Sequence, residues 1–582
     1  AQAGGIGRAI SKVISSPIAQ IAVVGAIAVA TGGASFTMSG FLSAGMKAFA
    51  KQALISIASS LVLGAVGKKL APKVDPPQLG TALESGIQTT LKSPTASYRV
   101  IYGETRVGGT IVYAETTSDT NQFLHMVIVL AAHEVDDIPT IYFNDDAVAL
   151  ETSSNDSNGI PIYTPTSSDQ YSGKARIKNH KISNKAYLYV RLQFDADVYP
   201  NGVPNISAVV KGKKLFDPRA TSFTASSSSV NTSSNAITIN THGLSTFDRA
   251  KYDRNSQTSI GGISSGTEYY VIKVDANNFK LATNYANALA GTAISLTSVT
   301  GSTTQKFNFT THSSNPSLAI RDYLTNTVYG MKAGTDEIND TNFQTIANTC
   351  DESVTITNPS GTESRFTCNG TFTLSTAPKV IIENLLTTMG GFMVYSNGEF
   401  KLVASIYASP SVTLNETHLR SGLQINTRIS KKELFNAVKG LYSEPANDYQ
   451  PTNYPILTNS TFQSEDNSER IYADFDFPFT NSSHTCQRLS TVQLLKGRQQ
   501  ISFSASFEME AFQLNIGDTV YITNARMGFN AKTFQVVDWS FSINPSDGSL
   551  SVDCEFRETA SAVYDFTNSN YSTISSGKAT NL

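Results

Sequence analysis

The sequence has few cysteines and no pattern of metal ligands. Its 582 residues include four cysteines, none of them in a CxxC pair, and seven histidines without an HxH or HExxH arrangement. Structural zinc sites need ligands at such short spacings. The sequence therefore excludes a zinc-ribbon protein. Free buried thiols are the expected state, and a bridge between Cys350 and Cys368 stays open as an alternative.

Sequence signatures of common enzymes are missing as well. No GxSxG elbow is present, and Gly103, Gly108 and Gly109 do not follow the spacing of a phosphate-binding loop. These three glycines instead predict turns and close approaches of the backbone. Together with Arg106 they are candidate subunit-contact or turn residues.

His133 next to Glu134 is the most suggestive pair for general-base chemistry. No third group that would orient the imidazole is evident, so a turn residue at a strand end is the expected role. The acidic pairs at 136–137 and 145–146 lack the alternating spacing of a calcium loop. We therefore expect no catalytic residue, no metal and no cofactor, and we predict that the protein is not an enzyme.

Charged side chains are scarce in this chain. They make up 16% of the residues, with a formal net charge of −3, whereas about a quarter is typical. This balance argues against a dedicated nucleic-acid binder, which usually carries a basic stripe. Apolar residues at 40% are sufficient for globular cores, and the length predicts several domains.

Charge is absent from two long stretches near the start of the chain. No charged residue occurs between Val13 and Met46 or between Gln52 and Gly67. The first stretch exceeds the ~20 residues of a membrane-spanning helix, but Ala, Gly and Ser dominate it. Three alternatives stay open for residues 1–75: small-residue helices that pack together or on a partner, a segment that enters a host membrane when triggered, and a permanent anchor. The candidate residues of a membrane or lumen segment are Val13, Ile21, Val24, Ile27, Leu54 and Leu61.

The next part of the chain shows the pattern of β-structure. Apolar and polar residues alternate at 186–194, and further strand-like runs lie at 100–113 and 206–215. The continuous apolar run at 127–132 predicts a strand that is buried on both faces. These runs predict a first β-domain at 76–219.

A change in composition marks an insertion. The stretches 220–234 and 297–314 are rich in Ser and Thr, and short strand patterns lie between them. We predict a small inserted β-domain at 220–312. Its strands are expected at 236–240, 268–274, 279–282 and 292–296.

Helix signals follow in residues 313–430, which predict an α+β domain. Asn315 can cap a helix that has Pro316 at its first position. A second helix begins near Asp340, and a third runs from Pro378 to the glycines at 390–391. The apolar stripe of the second helix, which places its cysteine in a core, is Phe343, Ile346, Ala347 and Cys350.

Short strand patterns return after the helices. The dipeptide Asn397-Gly398 predicts a tight hairpin. Residues 431–564 again alternate apolar and polar positions and predict a second β-rich domain. The polar residues 565–582 predict an extended tail. The expected fold class is mainly β with α+β parts.

Several sequence blocks, in this order, resemble the central tail hub, or tail tip attachment protein, of long-tailed phages of the lambda-like type. The blocks are RVIYGETRVGG (99–109), HEVDDIPTIYFND (133–145), LNIGDTVYI (514–522), FQVVDWSF (534–541) and CEFRE (554–558). The resemblance covers most of 95–219 and 313–560. It implies two tail-tube-like β-barrels in one chain, and residues around 209–219 and 315–324 that are contiguous in the family and separated here by the insertion.

The resemblance also implies a function and partners. It implies a structural virion protein at the tail tip, a homotrimer that closes or continues the DNA-ejection channel. The implied partners are the distal tail protein, the tape measure protein and a tail fibre or receptor-binding protein, with DNA passing only transiently through the lumen. Residues 1–75 are then expected near the lumen, with possible host membrane contact. Two alternatives stay open: an adhesin or carbohydrate-binding protein, and a membrane-inserting pore component.

Overall fold

A computed structural model describes residues 96–118, 120–155, 161–180, 185–357, 359–543, 548–566 and 571–572. The predictions for residues 1–75 and for most of the tail at 565–582 lie outside these residues. In the part of the chain so described, no helix has both the length and the apolar character that a membrane crossing requires.

The first part of the chain begins with β1, which pairs elsewhere, and continues between residues 104 and 211 as two antiparallel sheets that we call the first β module. The six-stranded sheet has the order β3-β4-β10-β9-β8-β7, and the four-stranded sheet has the order β2-β11-β5-β6. One face of each sheet packs into a shared apolar cluster. The strands are β1 (Arg99–Tyr102), β2 (Glu104–Gly108), β3 (Thr110–Thr117), β4 (Phe123–Ala131), β5 (Asp137–Phe143), β6 (Asp146–Ala147), β7 (Leu150–Asn155), β8 (Pro161–Pro165), β9 (Ala175–His180), β10 (Ala186–Gln193) and β11 (Ile206–Lys211).

Strand β4 differs from the sequence-based prediction. Met126, Ile128 and Leu130 are buried, whereas Val127 and Val129 are only partly buried. The strand therefore has one core face and one open face, and the expected burial on both faces is wrong. The reason is that one face of the six-stranded sheet stays outside the core cluster.

The inserted region forms a sheet with its own apolar cluster, which spans Phe223 to Phe309. Its strands follow the order β12-β19-β16-β17-β18-β15-β14, and β13 also pairs with β19. Because β12 and β19 pair antiparallel, the chain enters and leaves the insertion side by side. The elements are β12 (Lys214–Phe216), β13 (Thr221–Ala225), β14 (Val230–Asn231), β15 (Ala236–Thr238), β16 (Arg249–Asp253), β17 (Glu268–Lys273), β18 (Asn278–Ala282), helix α1 (Tyr285–Leu289) and β19 (Thr303–His312).

The strand predicted at 292–296 is not formed. Leu296 is buried in the cluster of the insertion, as its apolar character suggests. Its backbone N–H, however, donates to the side-chain oxygen of Asn235 at 2.9 Å and not to a neighbouring strand. The apolar side chain of Leu296 therefore indicated burial, but not a strand with the hydrogen bonds of a sheet.

The middle of the chain confirms the helix predictions. The Asn315 side chain accepts from the backbone N–H groups of Ser317 and Leu318 at the start of α2. The predicted stripe of α3 is buried, including Cys350. Asn397 and Gly398 both have positive φ, at 57° and 86°, as a tight hairpin requires. The elements are α2 (Pro316–Thr325), α3 (Asp340–Asp351), β20 (Ser353–Ile356), β21 (Gly361–Ser364), β22 (Gly370–Thr373), α4 (Pro378–Thr387), β23 (Phe392–Ser396) and β24 (Glu399–Val403).

The last part of the chain contains a sheet that we call the second β module, with the order β25-β33-β34-β35-β32-β26. Its core is a further apolar cluster, from Leu414 to Phe556. The elements are β25 (Val412–Asn415), β26 (Gln424–Asn426), β27 (Ala437–Lys439), β28 (Leu441–Glu444), β29 (Gln450–Asn453), β30 (Leu457–Thr458), α5 (Ser460–Glu465), β31 (Tyr472–Asp474), α6 (Ser483–Gly497), β32 (Ser502–Phe507), β33 (Thr519–Asn524), β34 (Phe529–Ile543) and β35 (Leu550–Glu558).

Helix α6 was not predicted. It is buried on almost all sides and carries many buried polar residues, among them Ser483, Gln487 and Ser490. A helix without a single apolar stripe gives no amphipathic signal in the sequence. Its Cys486 and Leu489 belong to a large cluster shared with β1 and helices α2 to α4, which we call the central block.

The expectation of a mainly β fold with α+β parts is confirmed. The strand orders of the described residues are open, and the arrangement as two barrels stays a prediction. The division into six domains also stays a prediction.

Candidate functional site

The turn between β1 and β2 joins the first β module to the central block. Gly103 lies at this turn with φ +61°, and a Cβ there would lie 2.1 Å from the Cys368 carbonyl oxygen and 2.3 Å from the Asn369 Oδ1 atom. The same Asn369 oxygen accepts from the backbone N–H of Glu104 at 2.9 Å. Strand β1 pairs with β22 of the central block, whereas β2 pairs with β11 of the first module. Gly103 is therefore the point where the chain passes from one body to the other.

Gly108 and Gly109 lie at the next turn, where the chain passes from the four-stranded to the six-stranded sheet. A Cβ on Gly109 would lie 2.2 Å from the Ile128 Cγ2 atom. The carbonyl of Gly108 accepts from the Arg99 guanidinium. Both glycines are buried, and Gly109 permits a close approach of its backbone to β4. Their role in a subunit contact stays a prediction.

Arg106 is fully buried, although it is a charged residue on a β-strand. Its Nε donates to the Ser207 hydroxyl at 3.0 Å, and its Nη2 donates to an Asp145 carboxylate oxygen at 2.9 Å. The guanidinium also lies 3.9 Å from the centre of the Tyr142 ring. Within the described residues, its Nη1 has no hydrogen-bond partner. Arg106 thus ties β2 to β11 and to the turn after β5.

A partly buried ionic group lies beside these turns and joins β1 to α2 and to the segment between β11 and β12. The Asp322 carboxylate on α2 accepts from the hydroxyls of Tyr102 at 2.7 Å and Tyr329 at 2.5 Å. Its other oxygen lies 3.0 Å from the Lys213 Nζ atom. Burial, together with the Asp322 charge, raises the pKa of both tyrosines well above the usual value. The tyrosines therefore stay neutral donors that hold the carboxylate in place.

His133 holds backbone in the same region and does not act as a general base. Its Nε2 accepts from the Ile101 N–H at 2.9 Å, and its Nδ1 lies 2.7 Å from the Glu134 carbonyl oxygen, to which it can donate. The lone pair that a general base needs is therefore occupied. Burial lowers the pKa of His133 to about 4, so the ring is neutral at physiological pH.

The acidic residue Asp136 forms an ion pair, and the four cysteines are buried. No group of three or more His, Cys, Asp or Glu residues is placed to hold a metal ion within the described ranges. Asp136 lies 3.5 Å from the Lys214 Nζ atom, which also lies 2.9 Å from Asp248 of the insertion. All four cysteines are buried free thiols, which confirms the expected state, and burial raises the pKa of each.

One surface of the first β module combines aromatic and basic side chains. Cross-strand neighbours on the outer face of the six-stranded sheet include Tyr113, Val127 and Tyr189, which form one row. Arg191 pairs with Arg176 on the same face. We call this surface the open sheet face. Its residues are Tyr113, Glu115, His125, Val127, Arg176, Lys178, His180, Tyr187, Tyr189 and Arg191.

The second β module presents an apolar surface at the far end of β34 and β35. Pairing of β33 with β34 ends at Gln535, and pairing of β32 with β35 ends at Val552. We call residues 539–543 and 550–552 the ribbon; β32 still lies beside its first part, and within the described strands only the last two residue pairs, Ser542 with Ser551 and Ile543 with Leu550, are two-stranded. Phe541, Ile543 and Leu550 on its core-side face are 38%, 58% and 40% exposed.

Sequence reasoning did not find these two surfaces or the Asp322 group. The alternation of apolar and polar residues within 431–564 was visible, but no sequence signal shows where neighbouring strands end. The Tyr102 and Asp322 side chains are separated by 220 residues in the chain, so only the fold brings them together.

Comparison with known proteins gives one family match. Residues 377–539, less than a third of the chain, match a family model described as a putative phage tail protein. The match runs from α4 through the central block into β34. Among curated proteins, none matches significantly. The family match supports a structural component of a phage tail, and hence of the virion.

Solved structures with low sequence identity also match, among them a gene transfer agent virion chain and two prophage tail proteins. A chain in the virion of a native gene transfer agent particle is 11% identical, with 91% of this chain and 98% of that chain covered and a TM-score of 0.46. The 43 kDa tail protein of prophage MuSo2 from Shewanella oneidensis is 8% identical, with 79% and 96% covered and a TM-score of 0.23. The prophage tail protein gp18 from Listeria monocytogenes is 12% identical, with 60% and 91% covered and a TM-score of 0.23.

Proposed function

We propose that this chain is the tail hub of a phage virion, a homotrimer at the tail tip that closes or continues the DNA-ejection channel. The observation that carries the proposal is the arrangement of two β modules on one central block. Val100 and Tyr102 of β1 share a continuous apolar cluster with α2 to α4 and α6. A protein that must hold its place in a channel needs such rigid connections between its bodies.

The family match supports the proposal, because it includes part of the central block and most of the second β module. A chain with two β modules, present in three copies, offers six β modules to a sixfold tail and threefold symmetry below it. A distal tail protein, a tape measure protein and a tail fibre or receptor-binding protein are the proposed partners. We propose that DNA passes only transiently through the lumen.

Antibody labelling of assembled particles tests the location. Antibodies raised against the insertion at 220–312, which we propose to face outward, should decorate the end of the tail opposite the capsid. Labelling along the whole tail, or particles that lack the protein, would overturn the proposal.

A second candidate function is supported by the aromatic residues of the open sheet face. Tyr113 is 47% exposed, and it lies in one row with Tyr189. Aromatic rings on a polar surface can stack against sugar rings, so an adhesin that contacts the host surface is the alternative. Binding of host glycans that is lost on Tyr113→Ser, by a chain that stays monomeric, would favour it.

The third candidate, a membrane-inserting pore component, depends on residues 1–75. Flotation with liposomes should separate the full chain from a variant that lacks these residues if the segment inserts. If the full chain and the shortened variant float to the same extent with liposomes under every trigger, this candidate is ruled out.

A further inference from the structure

We propose that the ribbon of one copy docks on the open sheet face of a second copy of this chain. This inference rests on the proposed homotrimer and names the surfaces that form it. Three observations support it: the apolar face of the ribbon, the end of the ribbon beyond its neighbouring strands, and the charges of the two surfaces.

The ribbon continues the core-side face of its sheet beyond its own core. Trp539 pairs with Cys554, Phe541 with Val552 and Ile543 with Leu550. Val552 is fully buried and belongs to the core cluster of the second β module, whereas Phe541, Ile543 and Leu550 do not belong to it. The alternation that builds the core thus goes on through Phe541 to one further residue pair, Ile543 and Leu550, which lie outside the core cluster and are 58% and 40% exposed.

A short 3-10 helix, Met509–Gln513, extends the same apolar surface. The Phe512 ring lies 5.6 Å from the Trp539 ring and 5.7 Å from the Phe541 ring, measured between centroids. Phe512 itself is half exposed. With Met509, these side chains expose on the order of 400 Å² of apolar surface, which reaches the range of the largest patches on monomers.

Among the described residues, no strand pairs with β34 on its other side along 539–543, and on the side of β35 strand β32 ends opposite Val552. The last two residue pairs of the ribbon therefore stand as two strands alone, which are only marginally stable in water. An apolar face on a two-stranded ribbon gains stability when it packs on another surface.

The ribbon and the open sheet face differ in charge. Glu510 lies next to the apolar surface of the ribbon, and Glu508 on the other side of Met509 lies 3.5 Å from the Arg420 Nε atom. The open sheet face carries Arg176 and Arg191 as cross-strand neighbours, together with the single acidic residue Glu115. Aromatic centres with charged surroundings are the composition of specific protein interfaces, and opposite charges select the partner and its orientation.

The two surfaces belong to different modules of the chain, so their contact is heterologous. A heterologous contact closes into a ring when the rotation between copies allows it, whereas a surface that pairs with itself gives only a dimer. Three copies joined from ribbon to open sheet face would form such a ring. Docking between copies therefore agrees with the proposed trimer.

The test measures the mass of the full-length chain in solution. Phe541→Ser combined with Ile543→Ser and Leu550→Ser should raise the dissociation constant of the assembly by about a hundredfold or more. Val328→Ser is the matched control, since Val328 is 82% exposed and lies in neither surface. Mass photometry over a concentration series should show trimers for the wild type and the control, and monomers for the ribbon variant.

A second measurement keeps the inference testable if the ribbon variant folds poorly. A photo-crosslinking phenylalanine in place of Phe541 should form crosslinks to peptides that contain Arg176 or Tyr189 of another copy. Trimers that persist in a folded ribbon variant, or crosslinks to other surfaces, would overturn the inference and leave the proposed function intact. A wild-type chain that stays monomeric at all concentrations would overturn both.

Discussion

Replacement of Gly103 by alanine should loosen the junction between the first β module and the central block. The residue has φ +61°, and a Cβ would lie 2.1 Å from the backbone oxygen of Cys368. An L-residue in this backbone region costs about 1–2 kcal/mol. The clash requires β1 and β22 to separate, which adds about 1–3 kcal/mol. Loss of the hydrogen bond from Glu104 to Asn369 adds about 1 kcal/mol.

Gly173→Ala is the matched control for this prediction. Gly173 has φ +69°, and nothing lies within 4 Å of its Cβ position. The control therefore carries the cost of the left-handed backbone without the clash. The difference between the two variants should be about 3 kcal/mol, which is roughly a hundredfold change in an opening equilibrium.

Hydrogen exchange measured by mass spectrometry is the suitable assay, because a chain with several bodies does not unfold in one step. Peptides that cover β1 and β22 should lose about a hundredfold of protection in Gly103→Ala, and should keep it in Gly173→Ala. Equal protection of these peptides in both variants would show that the close contact at Gly103 does not hold the junction.

Further predictions concern the buried polar groups. Asp145→Asn should destabilise the first β module by about 2–4 kcal/mol, because the fully buried Arg106 guanidinium loses its counter-charge. Arg106→Met should cost less, about 1–2 kcal/mol for the lost hydrogen bonds, because the Asp145 carboxylate it leaves behind is 77% exposed; thermal unfolding of both variants measures the contrast. The pKa of His133 in the folded protein is about 4, below its usual 6.5. The neutral ring therefore contributes to the free energy of unfolding in full above pH 6.5. About 3 kcal/mol of this contribution is lost as the pH falls from 6.5 to 4. His133→Gln, whose side-chain oxygen can still accept from Ile101, should flatten this part of a stability profile against pH. Because burial raises the pKa of Cys350 to about 12, iodoacetamide should modify this thiol only after a denaturant is added; rapid modification of the native protein would contradict the structure.

Local signals in the sequence predicted the middle of the fold well. The cap at Asn315, the stripe that buries Cys350 and the turn at Asn397-Gly398 all depend on residues close together in the chain. Each is present in the structure. Local chemistry decides such features, so a single sequence is sufficient to find them.

Features that depend on distant residues could not be predicted. Helix α6 gave no stripe because the central block surrounds it, and Leu296 is buried without a strand ladder. The open face of β4 depends on which surfaces the rest of the chain covers. The ribbon likewise depends on the ends of β32 and β33, which lie far from it in sequence.

The residues of the candidate site also divide into those that local sequence predicts and those that only the fold brings together. The glycines at 103 and 109 were found because glycine itself marks close backbone approach. Their partners, the Cys368 backbone and the Ile128 side chain, were not visible. The Asp322 group was missed because its tyrosine and lysine partners are ordinary residues in sequence, and only the fold brings them to one carboxylate.

A reconstruction of the tail end of the assembled particle by electron cryomicroscopy tests the central claim most directly. The proposal predicts three copies of this chain around a threefold axis at the tip, with the two β modules of each copy in one ring. Six copies in the ring, copies repeated along the tail, or a tip without this chain would contradict it.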